Sequence, residues 1–125
     1  GEGELPDLYG KLLETANTRI CKNMPCISQL GYSSSYNLVL DVVNAISEKM
    51  LSAGKRVFEM AEIEQLPIWT TLGVSSKPFI IQLLHENILY ESILEGKQYL
   101  RFCYDQMNDY YPAKIIVSRY SNEDE

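Results

Sequence analysis

Two β-prone runs joined by Glu95-Gly96 constrain the fold of this chain more than any other feature. Ile88-Leu89-Tyr90-Glu91-Ser92-Ile93-Leu94 precedes the link, and Lys97-Gln98-Tyr99-Leu100-Arg101-Phe102-Cys103-Tyr104 follows it. Branched and aromatic side chains suit a pleated, half-buried surface. A glycine in a two-residue link lets the backbone reverse with the twist that flanking strands require. A lone hairpin is marginal in water, so the rest of the chain must supply a layer that covers its apolar face.

The covering layer reads as helical. Ser75 or Ser76 can cap a helix with Pro78 in its first turn, and Phe79, Ile80, Leu83 and Leu84 give it an apolar side before Asn87 ends it. Upstream, Leu38, Val39, Val42, Val43, Ile46 and Met50 recur at helical spacing and predict a helix over 36–53, stopped by Gly54. Val57-Phe58 reads as a short strand able to pair with the hairpin, and Ala61 to Leu66 as a brief helix that Pro67 ends. A last helix is expected over 105–119, carrying Met107, Tyr110, Tyr111, Ile115 and Ile116, with Pro112 kinking it or shifting its start. Helix, short strand, helix, helix, hairpin is the winged-helix plan, a helix-turn-helix core whose hairpin is the wing. The fold class expected is therefore mainly α with a small β-hairpin (α+β), with an extra N-terminal and an extra C-terminal helix.

The N-terminal helix is expected over 6–21, from Pro6 at its first position and from Leu5, Leu8, Tyr9, Leu12, Leu13, Ala16 and Ile20 on one face. Pro25, Gly31 and Ser33-Ser34-Ser35 then break the pattern. Residues 1–35 are thus a segment that could belong to a neighbouring module, 36–120 the winged-helix domain, and 121–125 an acidic tail. The chain of 125 residues is otherwise sized for a single core.

Chemistry is sparse. The chain has no GxxxxGK[ST], no GxSxG and no HExxH, so neither a phosphate cradle, a nucleophile elbow nor a helical zinc motif is present. No catalytic residue, cofactor site or metal site is assigned. His85 near a helix C-terminus reads as a surface or capping histidine, and Glu59, Glu62 and Glu64 read as a solvated face. Cys21, Cys26 and Cys103 are an odd number with no CxxC, which suits buried or half-buried free thiols in a reducing, cytoplasmic setting. No apolar run approaches the roughly 20 residues that span a bilayer.

The winged-helix plan raises the question of nucleic acid. A reader needs cations toward phosphates and Arg, Lys, Asn or Gln toward base edges. The helix at 76–87 offers Lys77, Gln82, His85 and Asn87 against Glu86, and no arginine lies between Arg56 and Arg101. The net charge of −6 works against a phosphate backbone as well. Protein surfaces are accordingly the expected partners, with a nucleic-acid-binding regulator as the alternative. The interaction candidates are Tyr110, Tyr111 and Tyr120, since tyrosine offers apolar area with a polar tip.

Residues 45–117 also resemble a known pattern. Ala45-Ile46-Ser47-Glu48-Lys49-Met50, Gly54-Lys55-Arg56 and Ala61-Glu62-Ile63 resemble the first half of the winged-helix segment that follows the NTPase core in STAND-type ATPases, the NACHT-like and antiviral-sensor group. Leu83-Leu84-His85-Glu86-Asn87-Ile88-Leu89 is similar to that family's entry to the wing. Arg101-Phe102-Cys103-Tyr104-Asp105, with Asp109-Tyr110 and Ala113, is similar to its strand-to-helix signature. The resemblance implies a packing and relay element between a nucleotide-binding core and sensor repeats, the nucleotide motifs lying outside this chain. Read physically, Phe102 and Tyr104 alternate with Arg101 and Cys103 and should share the face that packs on the helices, and Asp105 should cap the helix that follows.

Overall fold

The computed structural model describes residues 8–33 and 35–123. Among them are seven helices and three strands: α1 (Gly10–Asn23), α2 (Cys26–Gln29), α3 (Leu38–Ala53), β1 (Phe58–Glu59), α4 (Met60–Glu64), α5 (Ile68–Leu72), α6 (Ser76–His85), β2 (Leu89–Leu94), β3 (Lys97–Phe102) and α7 (Met107–Glu123). The architecture is α+β. Leu5, the helix start expected at Pro6, and the last two residues of the acidic tail lie outside the described residues.

The hairpin forms where the sequence placed it. Glu95 and Gly96 have φ of 53° and 81°, the double left-handed pair of a two-residue turn that matches strand twist. β2 and β3 pair antiparallel from Leu94↔Lys97 to Leu89↔Phe102, and β1 adds to the far side of β3 through Phe58↔Leu100, so the sheet order is β1-β3-β2. Phe58, Leu89, Leu100 and Phe102 fill one sheet face and enter the same buried cluster as the helices. Arg101 points the other way, its guanidinium 5.1 Å from the centroid of the Tyr90 ring.

Two parts of the strand-to-helix signature depart from expectation. β3 stops at Phe102, so Tyr104 does not alternate onto the core face; it is exposed in the turn before α7, its ring 6.3 Å from that of Tyr9. Asp105 serves that turn through its backbone carbonyl, which accepts from the Asn108 N–H at 3.0 Å, while the Tyr104 carbonyl accepts from Met107 at 3.0 Å. α7 starts two residues later than expected and runs on to Glu123, so part of the supposed tail is helix. Pro112 is its sixth residue and cannot supply a hydrogen bond to the Asn108 carbonyl.

Helix α5 has no counterpart in the sequence reading. Pro67 reads as a stop, yet it is also the N-cap of α5. The Trp69 indole N–H folds back onto the Ile63 carbonyl at 2.8 Å and fixes α5 against α4. Ser75 takes the N-cap position of α6 without a side-chain cap bond, so its role there is conformational.

The N-terminal segment is part of the same core. Leu13, Ala16 and Ile20 of α1 and Ile27 of α2 are buried with residues of α3 and α6. Asn17, also buried, is the polar link. Its Oδ1 accepts from the backbone N–H of Leu38 at 2.9 Å and of Val39 at 3.2 Å, and its Nδ2 donates to the Tyr36 carbonyl at 2.8 Å. The first N–H groups of a helix lack intrahelical acceptors; here α1 provides one across space, and Asn37 adds its own Oδ1 for Leu40 at 3.0 Å.

Asn17→Ala strips acceptors from two buried N–H groups and should cost about 2 kcal/mol. Phe102→Ala opens a cavity under the sheet and should cost about 3–5 kcal/mol. Denaturant melts of the two variants test both, and a loss below about 1 kcal/mol for Phe102→Ala would contradict the packing described.

Candidate interaction surfaces

Of the three tyrosines singled out for interaction, two are interior. Tyr111 is 1% exposed and Tyr110 8%. They meet edge-on at 4.9 Å between centroids, and Tyr9 at the head of α1 packs on both, at 5.5 Å from Tyr110 and 6.1 Å from Tyr111. The Leu8 N–H donates to the Tyr110 hydroxyl at 3.3 Å. This cluster fastens α1 to α7 and leaves little of Tyr110 or Tyr111 for a partner. Their burial comes from α1, whose Tyr9 covers the first turns of α7. Tyr120 is different, at 64% exposed, and with Ile116 and Val117 it forms a short apolar stripe on the outer side of α7.

The second surface is the outer face of α6 together with β2. Phe79, Ile80 and Leu83 turn inward, and Lys77, Pro78, Ile81 and His85 are exposed. One flank of α6 is occupied by α1, through Asn23 Nδ2 to Gln82 Oε1 at 3.4 Å and an ion pair of Arg19 with Glu86 at 3.3 Å. On the other side a groove of about 450 Å³ separates α6 from β2. Ile81, Leu84 and His85 line one wall and Leu89 and Glu91 the other. Beyond it the hairpin exposes Ile93 (68%) and Leu94 (63%).

Two of the acidic residues near β1, Glu59 and Glu62, each have a cationic neighbour. Glu59 pairs with Lys97 at 3.3 Å, and Glu62 pairs with Lys55 at 3.3 Å while accepting the Glu59 N–H at 2.8 Å. Lys49 and Lys55 also lie 5.4 Å and 5.1 Å from the Phe58 ring centroid. Among the described residues no cluster of three or more His, Cys, Asp or Glu side chains could hold a metal ion. Cys21 is half-buried, within the buried or half-buried placement expected, and burial raises its thiol pKa; Cys26 and Cys103 are exposed, contrary to that expectation. Among the described residues no helix is long and apolar enough to cross a membrane.

No family model, curated protein or solved structure matches the chain.

The hydrogen bond from the Glu59 N–H, helped by Lys55, holds the Glu62 carboxyl below its ordinary value of 4.5. A depressed folded-state pKa stabilises the fold above the unfolded value, and that stabilisation is lost as pH falls through the folded value. The gap in stability between the native chain and Glu62→Gln should therefore be widest near about pH 7 and close below about pH 4. Urea melts at the two pH values check this, and a gap that widens on acidification would contradict the assignment.

Proposed function

We propose that this chain is a non-catalytic winged-helix interaction domain. In this reading it relays between the nucleotide-binding core and the sensor region of a STAND-type signalling or defence NTPase, in the reducing cytoplasm. The order α3, β1, α4 with α5, α6, β2, β3 and the sheet order β1-β3-β2 are those expected of the winged-helix plan. The relay role follows from the resemblance of residues 45–117 and from the way α7 and α1 close on each other at Tyr9, Tyr110 and Tyr111.

The observation that carries the protein-binding reading is the exposed face of α6. In a DNA-reading winged helix the equivalent helix enters the major groove and needs cations along it. Here that face presents one lysine with Pro78, Ile81 and His85, and α1 is tied along its flank. Affinity for duplex DNA comes mainly from phosphate neutralisation, and this surface offers little of it.

Titration with random-sequence duplex DNA at about 50 mM salt, with sedimentation in parallel, tests the reading. The expected result is no binding tighter than the roughly 10⁻⁴–10⁻⁶ M of ordinary non-specific contacts. Tight binding by a monomer that weakens steeply with salt would favour the nucleic-acid regulator instead.

A further inference from the structure

We infer that the groove between α6 and the free edge of β2 is a docking site for an extended peptide segment carrying a basic residue between two apolar ones. The inference rests on the protein-binding reading above and names the partner's chemistry.

The first support is backbone geometry. Among the described residues β2 has a strand neighbour on one side only, β3. The two-residue turn makes Leu94 and Lys97 the last hydrogen-bonded pair, and bonded pairs then recur at every second residue along the ladder. The Cys103 N–H to Ile88 carbonyl bond at 2.9 Å keeps the same phase at the far end. The N–H and C=O groups of Leu89, Glu91 and Ile93 therefore point away from β3; Leu89 is itself 3% exposed, so the groups open to a further strand are those of Glu91 and Ile93. Such an edge accepts an extended peptide by main-chain hydrogen bonds, and pockets for alternate side chains supply the selectivity.

The second support is what lines the place. Leu89, Glu91 and Ile93 share the sheet face of buried Leu100 and Phe102, which is the face toward α6. A peptide strand laid along β2 would send every second side chain toward the groove walls at Ile81, Leu84 and Leu89. Ile93, 68% exposed, extends the same apolar row outward. The third support is charge. Glu91 stands between Leu89 and Ile93, half-buried on the groove wall, and cross-strand pairs of opposite charge are favourable where like charges are not. Pairing β2 with a second copy of itself about Glu91 would set that carboxylate against its own mate, so the complementarity favours a basic segment. An apolar residue, any residue, lysine or arginine, any residue, and an apolar residue is the matching pattern.

The test uses a fluorescein-labelled peptide alternating threonine with valine, lysine and valine, and a control with glutamate for lysine. Anisotropy titrations of the native chain should show the lysine peptide binding about fivefold or more tighter. Glu91→Lys should invert that preference. Ile93→Pro removes an outward N–H while leaving the β3 ladder intact, and it should abolish binding of both peptides with the far-UV circular dichroism unchanged. Amide exchange at Glu91 and Ile93 should slow when the lysine peptide is bound. Equal affinity for the two peptides, or unchanged exchange at Glu91 and Ile93, would overturn the groove proposal. Glu91→Lys serves if Ile93→Pro fails to fold. Absence of peptide binding without DNA binding sinks this site alone, whereas tight, salt-sensitive DNA binding sinks the protein-binding reading itself.

Discussion

The Asn17 carboxamide is the contact on which the arrangement of this molecule depends. It sits in a buried stretch of α1 and offers both an acceptor and a donor to the entry of α3. The groups it meets are ones that cannot be left alone, since the opening N–H groups of Leu38 and Val39 are in the interior, where an unmet donor costs more than a made bond returns. The bond is also geometric. With Oδ1 held by two N–H groups and Nδ2 by a carbonyl, the side chain has one orientation, and α1 has one rotation about its axis. That rotation turns Leu13, Ala16 and Ile20 into the core and sends Arg19 and Asn23 toward α6. At the other end Tyr9 meets α7. One helix thereby touches α3, α6 and α7.

This explains which parts were legible in the sequence. The hairpin, its Glu95-Gly96 turn, the end of α3 at Gly54 and the left-handed Asn87 after α6 were all readable, because each rests on a local backbone requirement that few residues meet. The apolar row of α3 was readable because its period is helical over four turns. The burial of Tyr110 and Tyr111 was not, because it depends on α1 arriving from about a hundred residues away. The polar link at Asn17 has no sequence signal at all, since a helical asparagine looks like an exposed one until its partner is placed. Helix α5 was missed for a smaller reason. A proline that ends one helix can open another, and only the tertiary bond from Trp69 to Ile63 selects that outcome.

The same distinction applies to the interaction surfaces. Tyrosine content drew attention to α7, but composition does not tell which side of a helix is already taken. Once α1 covers the first turns, Ile116, Val117 and Tyr120 remain as the outward row, interrupted by the ion pair of Arg119 with Glu48 at 3.3 Å. That pair is exposed and adds little to stability. The α6–β2 groove carried no motif, and its signal is spread over a turn, a register and one glutamate.

The two edges of the sheet show how differently a small fold can treat the same problem. An unpaired strand edge is a template for association, and natural edges are shortened, charged or covered. β1 follows that rule. It is two residues long, α4 begins immediately after it, and Glu59 is tied across to Lys97. β2 does not follow it. It is six residues long, its outward groups fall at Leu89, Glu91 and Ile93, and its tip leaves Ile93 and Leu94 in water. The single charge at Glu91 is a weak guard against a neutral or acidic strand and an invitation to a basic one. A long edge with apolar residues beside a groove is costly to leave open, through the association it risks. In the peptide-docking proposal, an open edge of this kind beside a helix face poor in cations suits a peptide better than a phosphate backbone.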